Sequence, residues 1–182
     1  KNIKRNLIND IYKGKFTILY LFGADELDFD KIPKETFVIY HGHHGDKAAN
    51  RSDLIIPMPC FTEKEGLYVN LEGRVQISRQ VKLPIANVEH SFKFFNKLQG
   101  FMGIETEFNK FEDLRRIMIG SHENIMHINK VNPERLFNPK SSTNKFTREN
   151  IFSNIKNFYM TDSVSRNSPT MSSCSIQLKD KV

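Results

Sequence analysis

Three short, largely apolar runs, each closed by glycine or proline, lie within the first 57 residues and limit the fold more than any other feature. The runs are residues 16–22, followed by Gly23; residues 36–40, followed by His41-Gly42; and residues 53–56, followed by Pro57. Strands of a parallel sheet lie under helices on both faces, so their sequences are continuously apolar rather than alternating. With a helix predicted over residues 47–52, this pattern predicts an α/β fold with a partial parallel sheet flanked by helices.

Glycines also mark the ends of predicted helices outside this region. Residues 1–15 have one apolar helical face, and Gly14 is suited to the position just after the helix. A helix is predicted from Asn87, as its N-cap, to Gly100. Another is predicted from a capping box led by Asn109.

Between these helices and the apolar runs, the pattern changes at residues 60–78. Residues 67–71 and 74–78 are predicted to pair as a short antiparallel ribbon around the Glu72-Gly73 turn. Farther along, the polar composition of residues 137–150 predicts an exposed loop. We therefore predict an α/β domain over residues 1–136 and an extended C-terminal tail over 137–182, which packs on the same domain or on partners.

The tail carries one more helix signal. Ser168 and Pro169 are suited to the N-cap and first helical positions, because the N–H that proline lacks is unpaired there in any helix.

Composition excludes several classes of protein. The longest apolar runs are about seven residues, far short of the roughly twenty that a membrane span needs. Two cysteines, Cys60 and Cys174, cannot form a disulfide framework or an all-cysteine cluster. The net charge is +6, but residues 16–109 hold ten basic and thirteen acidic residues, so we predict no nucleic-acid partner.

One polar loop has the residue types of a metal site. His41, His43, His44 and Asp46 lie within six residues, and imidazole with carboxylate suits zinc or iron. The metallo-hydrolase spacing His-x-His-x-Asp-His requires aspartate at position 45 and histidine at 46, where this chain has Gly45 and Asp46. The alternative is a loop whose imidazoles bond locally.

A second polar segment allows two interpretations. Glu63, Glu65 and Glu72 would serve acid–base chemistry, or they would form ion pairs with residues such as Arg74 that hold the segment in shape. Cys60 has no Cys-x-x-Cys partner, and a buried inert thiol is the simpler interpretation. The residues alone therefore assign no catalytic, cofactor-binding or metal site.

Ordered loop motifs then identify a family. Residues 20–25, 37–46, 48–57 and 62–76, together with 157–168 and Thr170-Met171 in the tail, are similar to the C-terminal part of the large iron–sulfur subunit of respiratory complex I, NADH:ubiquinone oxidoreductase. His41 stands where relatives often carry glutamine, and Pro169 interrupts the tail motif. The cysteine-rich domains that bind the iron–sulfur clusters in that family have no counterpart here.

The resemblance implies a molybdopterin oxidoreductase-like fold that is retained without the molybdenum cofactor. It implies a non-catalytic structural role in the peripheral arm, on the matrix side of the mitochondrial inner membrane. Iron–sulfur clusters and FMN are expected in partner subunits, and the main partner is the cluster-bearing N-terminal half of the same subunit. Two alternatives stay open: a fragment of a true molybdopterin enzyme, whose loops after residue 41 and around 63–74 contact the pterin, and a metal hydrolase using His41, His43, His44 and Asp46.

Overall fold

A computed structural model describes residues 6–105, 108–122, 127–130, 155 and 157–179 of the 182-residue chain. The chain divides into two compact units. Unit 1 comprises Lys1–Pro57 with Asn150–Val182, and unit 2 comprises Met58–Glu149. The predicted loop 137–150 and the predicted domain boundary at residue 136 lie outside the described residues.

A three-stranded parallel sheet forms the centre of unit 1. Its strands are β1 (Ile18–Phe22), β2 (Phe37–Gly42) and β3 (Leu54–Pro57), in the order β1-β2-β3. Each strand starts within two residues of its predicted position, because the apolar β-branched and aromatic residues favour the pleated backbone. The α/β fold and the parallel pairing predicted from the sequence are therefore confirmed.

Two short helices flank the sheet, and both were predicted. Helix α1 (Leu7–Tyr12) ends before Gly14, whose φ of +69° is the left-handed conformation that glycine adopts readily. Helix α2 (Lys47–Arg51) connects β2 to β3. A 3-10 helix, Phe29–Lys31, lies between β1 and β2.

One face of the sheet holds the core of unit 1. Leu21, Val38 and Tyr40 pack there against residues from the helices and connecting loop, which are Ile11, Ile32 and Ala48. Residues paired in parallel register point to the same face, so Ile18 and its partner Phe37 lie on the other one. Ile18 is 62% exposed and Phe37 is 45% exposed. The prediction that β1 is buried on both faces is wrong, because β1 is an edge strand with its ends exposed.

The tail also belongs to unit 1. It contains a 3-10 helix (Phe158–Met160), helix α5 (Ser163–Arg166) and helix α6 (Pro169–Lys179). The predicted start of α6 is confirmed, since the hydroxyl of Ser168 accepts a hydrogen bond from the backbone N–H of Met171 at 3.4 Å.

Unit 2 contains the predicted ribbon and two helices. Strands β4 (Gly66–Val69) and β5 (Val75–Ser78) pair antiparallel, and the loop between them is longer than predicted. Helix α3 (Ser91–Phe101) begins four residues after Asn87, which instead ends a 3-10 helix. The predicted start is wrong because the backbone of Val88 and His90 is extended, with ψ of 122° and 137°.

Helix α4 (Phe111–Ser121) also starts later than predicted. Its N-cap is Lys110, and no side chain caps it. The predicted capping box led by Asn109 is therefore wrong. Glu112 and Asp113 still lie in the first turn, where negative charge stabilises a helix. No helix among the described ranges is long and apolar enough to cross a bilayer.

Candidate functional site at the carboxyl edge of the sheet

The loops that follow β1 and β2 meet at the carboxyl edge of the sheet, where open α/β folds usually bind ligands. Gly23 starts the first loop with φ +63°, and its N–H donates to the carbonyl of His41 at 2.8 Å. This bond extends the strand pairing by one residue. The chain then turns sharply and places Asp25, which is 4% exposed, under the start of helix α2.

Arg166 of the tail joins the two loops. Its Nη2 donates to Oδ2 of Asp25 at 2.7 Å and to Oε1 of Glu26 at 3.3 Å. Its Nε donates to Oδ2 of Asp46. The side chains of Arg166 and Asp46 are 12% and 18% exposed, so most of this charge cluster is removed from water.

The second oxygen of Asp25 serves helix α2. Oδ1 accepts the backbone N–H of Ala48 at 2.5 Å. A carboxylate of the chain itself thus accepts the helix N–H group that an anionic ligand would otherwise use. Since Asp46 is the N-cap residue of the same helix, both aspartates hold α2 and Arg166 in one network.

Burial and the shared guanidinium move the two carboxyl pKa values apart. Burial raises the pKa of Asp25 and outweighs the hydrogen bonds from Ala48 and Arg166. Burial alone would also raise the pKa of Asp46, but hydrogen bonds from Arg166 and Asp25 outweigh it, and the pKa of Asp46 is lowered. The pKa of Arg166 is raised by its carboxylate partners, despite burial that favours the neutral form. Arg166 therefore stays charged.

Tyr40 fills the adjacent space on the core face. Its ring lies against Gly42, and its hydroxyl donates to the carbonyl of His44 at 3.2 Å. A Cβ at Gly42 would be 2.5 Å from Cε1 of Tyr40 and nearer still to Cζ and Oη. Glycine at position 42 is what lets the ring lie there.

The predicted metal cluster does not assemble. His41 is fully buried, and its Nδ1 is 2.7 Å from the hydroxyl of Tyr20. His43 and His44 lie side by side with their Nδ1 atoms 2.5 Å apart. Within the described residues no group of three or more histidine, cysteine or acidic side chains is placed to hold a metal ion. The interpretation of locally bonded imidazoles is confirmed, and the metal-hydrolase alternative has no ligand set there.

The acidic segment of unit 2 forms structural contacts. Glu72 lies 3.8 Å from Arg74, as predicted. Glu63 accepts the backbone N–H of Cys60 at 3.0 Å, and Glu65 pairs with Arg115, which sequence reasoning missed. Since each carboxylate has a structural partner, this arrangement favours the ion-pair interpretation over acid–base chemistry.

Sequence reasoning also missed the Arg166 cluster. Asp25, Asp46 and Arg166 each lie in a motif that carries the family resemblance. No spacing rule links them, because Arg166 is 120 residues from Asp46 and 141 from Asp25. The available signal was general: polar residues after two adjacent parallel strands share one edge.

Comparison with known proteins matches both parts of the chain. The family described as "Molybdopterin oxidoreductase" matches residues 2–100. A second family, which describes the C-terminal region of an NADH-ubiquinone oxidoreductase subunit, matches residues 133–174, which include Arg166.

Individual relatives agree with these matches. An NADH-quinone oxidoreductase subunit of Rickettsia felis is 37% identical over 90% of this chain and 24% of the relative. "NADH-ubiquinone oxidoreductase 78 kDa subunit, mitochondrial" of Candida albicans is 37% identical over 92% of this chain and 24% of the relative. "NADH dehydrogenase [ubiquinone] iron-sulfur protein 1, mitochondrial" of Solanum tuberosum is 32% identical over 93% and 23%. The chain thus spans about a quarter of the length of these relatives.

The family name implies a pterin cofactor that carries phosphate, and the described carboxyl edge does not fit one. The space beside Gly42 holds the ring of Tyr40. The loops present Asp25, Glu26 and Asp46, which repel phosphate. The cation at this edge, Arg166, is held by those carboxylates, and the Ala48 N–H is used by Asp25. This donor and acceptor set fits a guanidinium group.

Proposed function

Because this chain belongs to the molybdopterin oxidoreductase family, and its tail matches a C-terminal family of NADH-ubiquinone oxidoreductase, we propose that it is a non-catalytic structural part of the peripheral arm of complex I. In this role it supports the iron–sulfur subunit during electron transfer from NADH to ubiquinone. Its own side chains carry neither electrons nor substrate.

The observation that carries the proposal is the double match. The sheet region alone would be compatible with many molybdopterin enzymes. The match over residues 133–174 is to a family named for the complex I enzyme. The charge cluster links the two regions, since Arg166 of the tail binds Asp25 and Asp46 of the sheet unit.

Exposed apolar side chains support the structural role. In unit 2, Val81, Leu83 and Phe101 are 85%, 78% and 91% exposed. In unit 1, Ile18 is 62% exposed on the face of the sheet opposite the core. Parallel sheets are ordinarily covered on both faces, and clustered apolar surface favours contact with another polypeptide.

Partners and location follow from the same family. The proposed partners are other peripheral-arm subunits, above all the cluster-bearing part that relatives carry in the same subunit. Iron–sulfur clusters and FMN belong to those partners. The proposed location is the matrix side of the mitochondrial inner membrane, which the names of the relatives from Candida albicans and Solanum tuberosum support.

Affinity capture of the tagged chain from its own cells tests the proposal. We expect iron–sulfur subunits of complex I in the eluate by mass spectrometry, at stoichiometric yield, with iron present and molybdenum absent by elemental analysis. Stoichiometric molybdenum or tungsten would instead show a genuine pterin enzyme. Recovery of a monodisperse monomer without complex I subunits would refute the structural role.

A matched pair of variants makes the capture sharper. Leu83→Gln removes an exposed apolar side chain, and Lys82→Gln places the same residue at the neighbouring exposed position. If a partner covers Leu83, its burial there stabilises the complex by roughly 1.5–3 kcal/mol. We therefore expect Leu83→Gln to reduce captured partner about tenfold or more, and Lys82→Gln to leave it unchanged. Equal yields from both variants would show that no partner covers Leu83.

A further inference from the structure

The tail segment 157–179, called the strap from here on, is held together by its own hydrogen bonds. The side-chain amide of Asn157 donates to the hydroxyl of Ser175 at 2.6 Å, and Ser175 is 6% exposed. Asp162 caps helix α5 by accepting the N–H groups of Val164 and Ser165 at 2.9 and 3.0 Å. These bonds fix the backbone on both sides of Arg166.

Arg166 is then presented to acceptors from two separate loops. Asp25 and Glu26 follow β1, and Asp46 follows β2; these three residues are called the cradle. Two nitrogens of the guanidinium, Nε and Nη2, are engaged at the same time. A planar group with several fixed donors satisfies such acceptors, whereas the single nitrogen of lysine reaches one of them well.

The cradle has a clear state when Arg166 is absent. Asp25 is 4% exposed and shares its surroundings with Asp46. Two close carboxylates without a cation repel each other, and a buried one is poorly solvated. Loss of the guanidinium therefore forces one carboxyl to take up a proton or the loops to separate.

We propose that the strap is a closing device for the carboxyl edge, and that the cradle is a guanidinium-specific binding site occupied within the chain by Arg166. With Arg166 in place, the loops after β1 and β2 are locked and the edge is sealed. With Arg166 withdrawn, both loops open together and the strap loses its attachment. This inference goes beyond the structural role in complex I and stands on contacts within unit 1 alone.

Chemical rescue tests the proposal. The full chain carrying Arg166→Ala, in whatever assembly it purifies with, is compared with the unmodified chain by hydrogen–deuterium exchange of peptides covering 23–27, 43–48 and 163–175. We expect protection to fall at least about tenfold in all three. Ethylguanidinium at millimolar concentration, far below denaturing levels, should restore protection of the two loops with a saturating dose dependence. Ethylammonium should not.

Two further variants complete the design. Arg166→Lys keeps the charge and is expected to restore less than a tenth of the lost protection. Arg116→Ala removes an arginine that is 80% exposed, and it should change nothing and give no guanidinium response.

Three results would overturn the proposal. They are unchanged loop protection in Arg166→Ala, full protection in Arg166→Lys, and equal rescue by both additives, which would show a nonspecific charge effect. If Arg166→Ala does not accumulate, Asp46→Asn in the presence of Arg166 is the second test. Loss of protection in both loops and the strap supports the cradle, and unchanged protection refutes it. Failure of complex I subunits to copurify would refute the proposed function and leave this comparison valid.

Discussion

Gly42→Ala is expected to be among the most damaging single-methyl substitutions in unit 1. The new Cβ would stand 2.5 Å from Cε1 of Tyr40 and closer to two other atoms of that side chain. Real Cβ contacts are longer, so the ring must leave its place. Tyr40 is 2% exposed and belongs to the core cluster, and its movement disturbs packing against Leu21 and Val38.

The magnitude follows from two costs. Overpacking a well-packed core costs about 1–3 kcal/mol. Loss of the hydrogen bond from Tyr40 to the carbonyl of His44 adds about 1 kcal/mol. We therefore expect the free energy of local opening to fall by about 2–4 kcal/mol, which corresponds to roughly 30- to 1,000-fold faster exchange at 1.36 kcal/mol per factor of ten.

Hydrogen–deuterium exchange of the peptide 37–44, measured in the purified assembly, reads this change directly. Gly45→Ala is the control, because nothing lies within 4 Å of a Cβ there, and it should cost less than about 0.5 kcal/mol. Adding Tyr40→Ala supplies the double-mutant cycle. Once the ring is gone, Gly42→Ala should cost less than about 0.5 kcal/mol more. Equal costs with and without the ring would refute the steric reasoning.

The remaining predictions concern the tail, the buried histidine and the pH response. Ser168→Ala removes the N-cap of α6 and should lower strap stability by about 1 kcal/mol, visible as faster exchange of 169–175; Ser168→Asp should restore it. Tyr20→Phe removes the partner of His41 Nδ1 and should cost about 1–3 kcal/mol in exchange of 18–22, and an unchanged rate would contradict that. Burial, with Lys93 and Lys64 nearby, lowers the pKa of His90. The unfolded chain therefore binds more protons there, and unit 2 should lose stability as pH falls from about 6.5, the usual histidine value. His90→Gln should flatten that loss in urea-dependent proteolysis, while the exposed His127→Gln should not.

Local sequence signals predicted the elements that depend on neighbouring residues. The apolar runs gave the three parallel strands, and Gly14 and Ser168 marked the end of one helix and the start of another. These signals act over a few residues, so the sequence alone is sufficient. They failed at Asn87 and Asn109, which have the side chains of good caps but lie in backbone that is not at a helix start.

The site itself depended on contacts that no local pattern contains. Asp25, Asp46 and Arg166 meet only because the strands place two loops on one edge and the tail returns to it. The exposure of β1 likewise depends on its position at the edge of the sheet. The histidine loop had the residue types of a metal site, but strand alternation turned His41 away from His43 and His44.

The most direct test of the structural role separates assembly from turnover. NADH:ubiquinone activity is measured per assembled complex, normalised to bound FMN, for cells carrying Leu83→Gln, Cys60→Ser or His43→Ala/His44→Ala. We expect Leu83→Gln to lower the amount of assembled complex, and every variant to keep the turnover per complex within about twofold of the unmodified chain, a small effect beside the 10²–10⁴-fold that an acid–base residue contributes. A drop of a hundredfold or more in turnover per complex from the cysteine or histidine variants would show that this chain takes part in the chemistry.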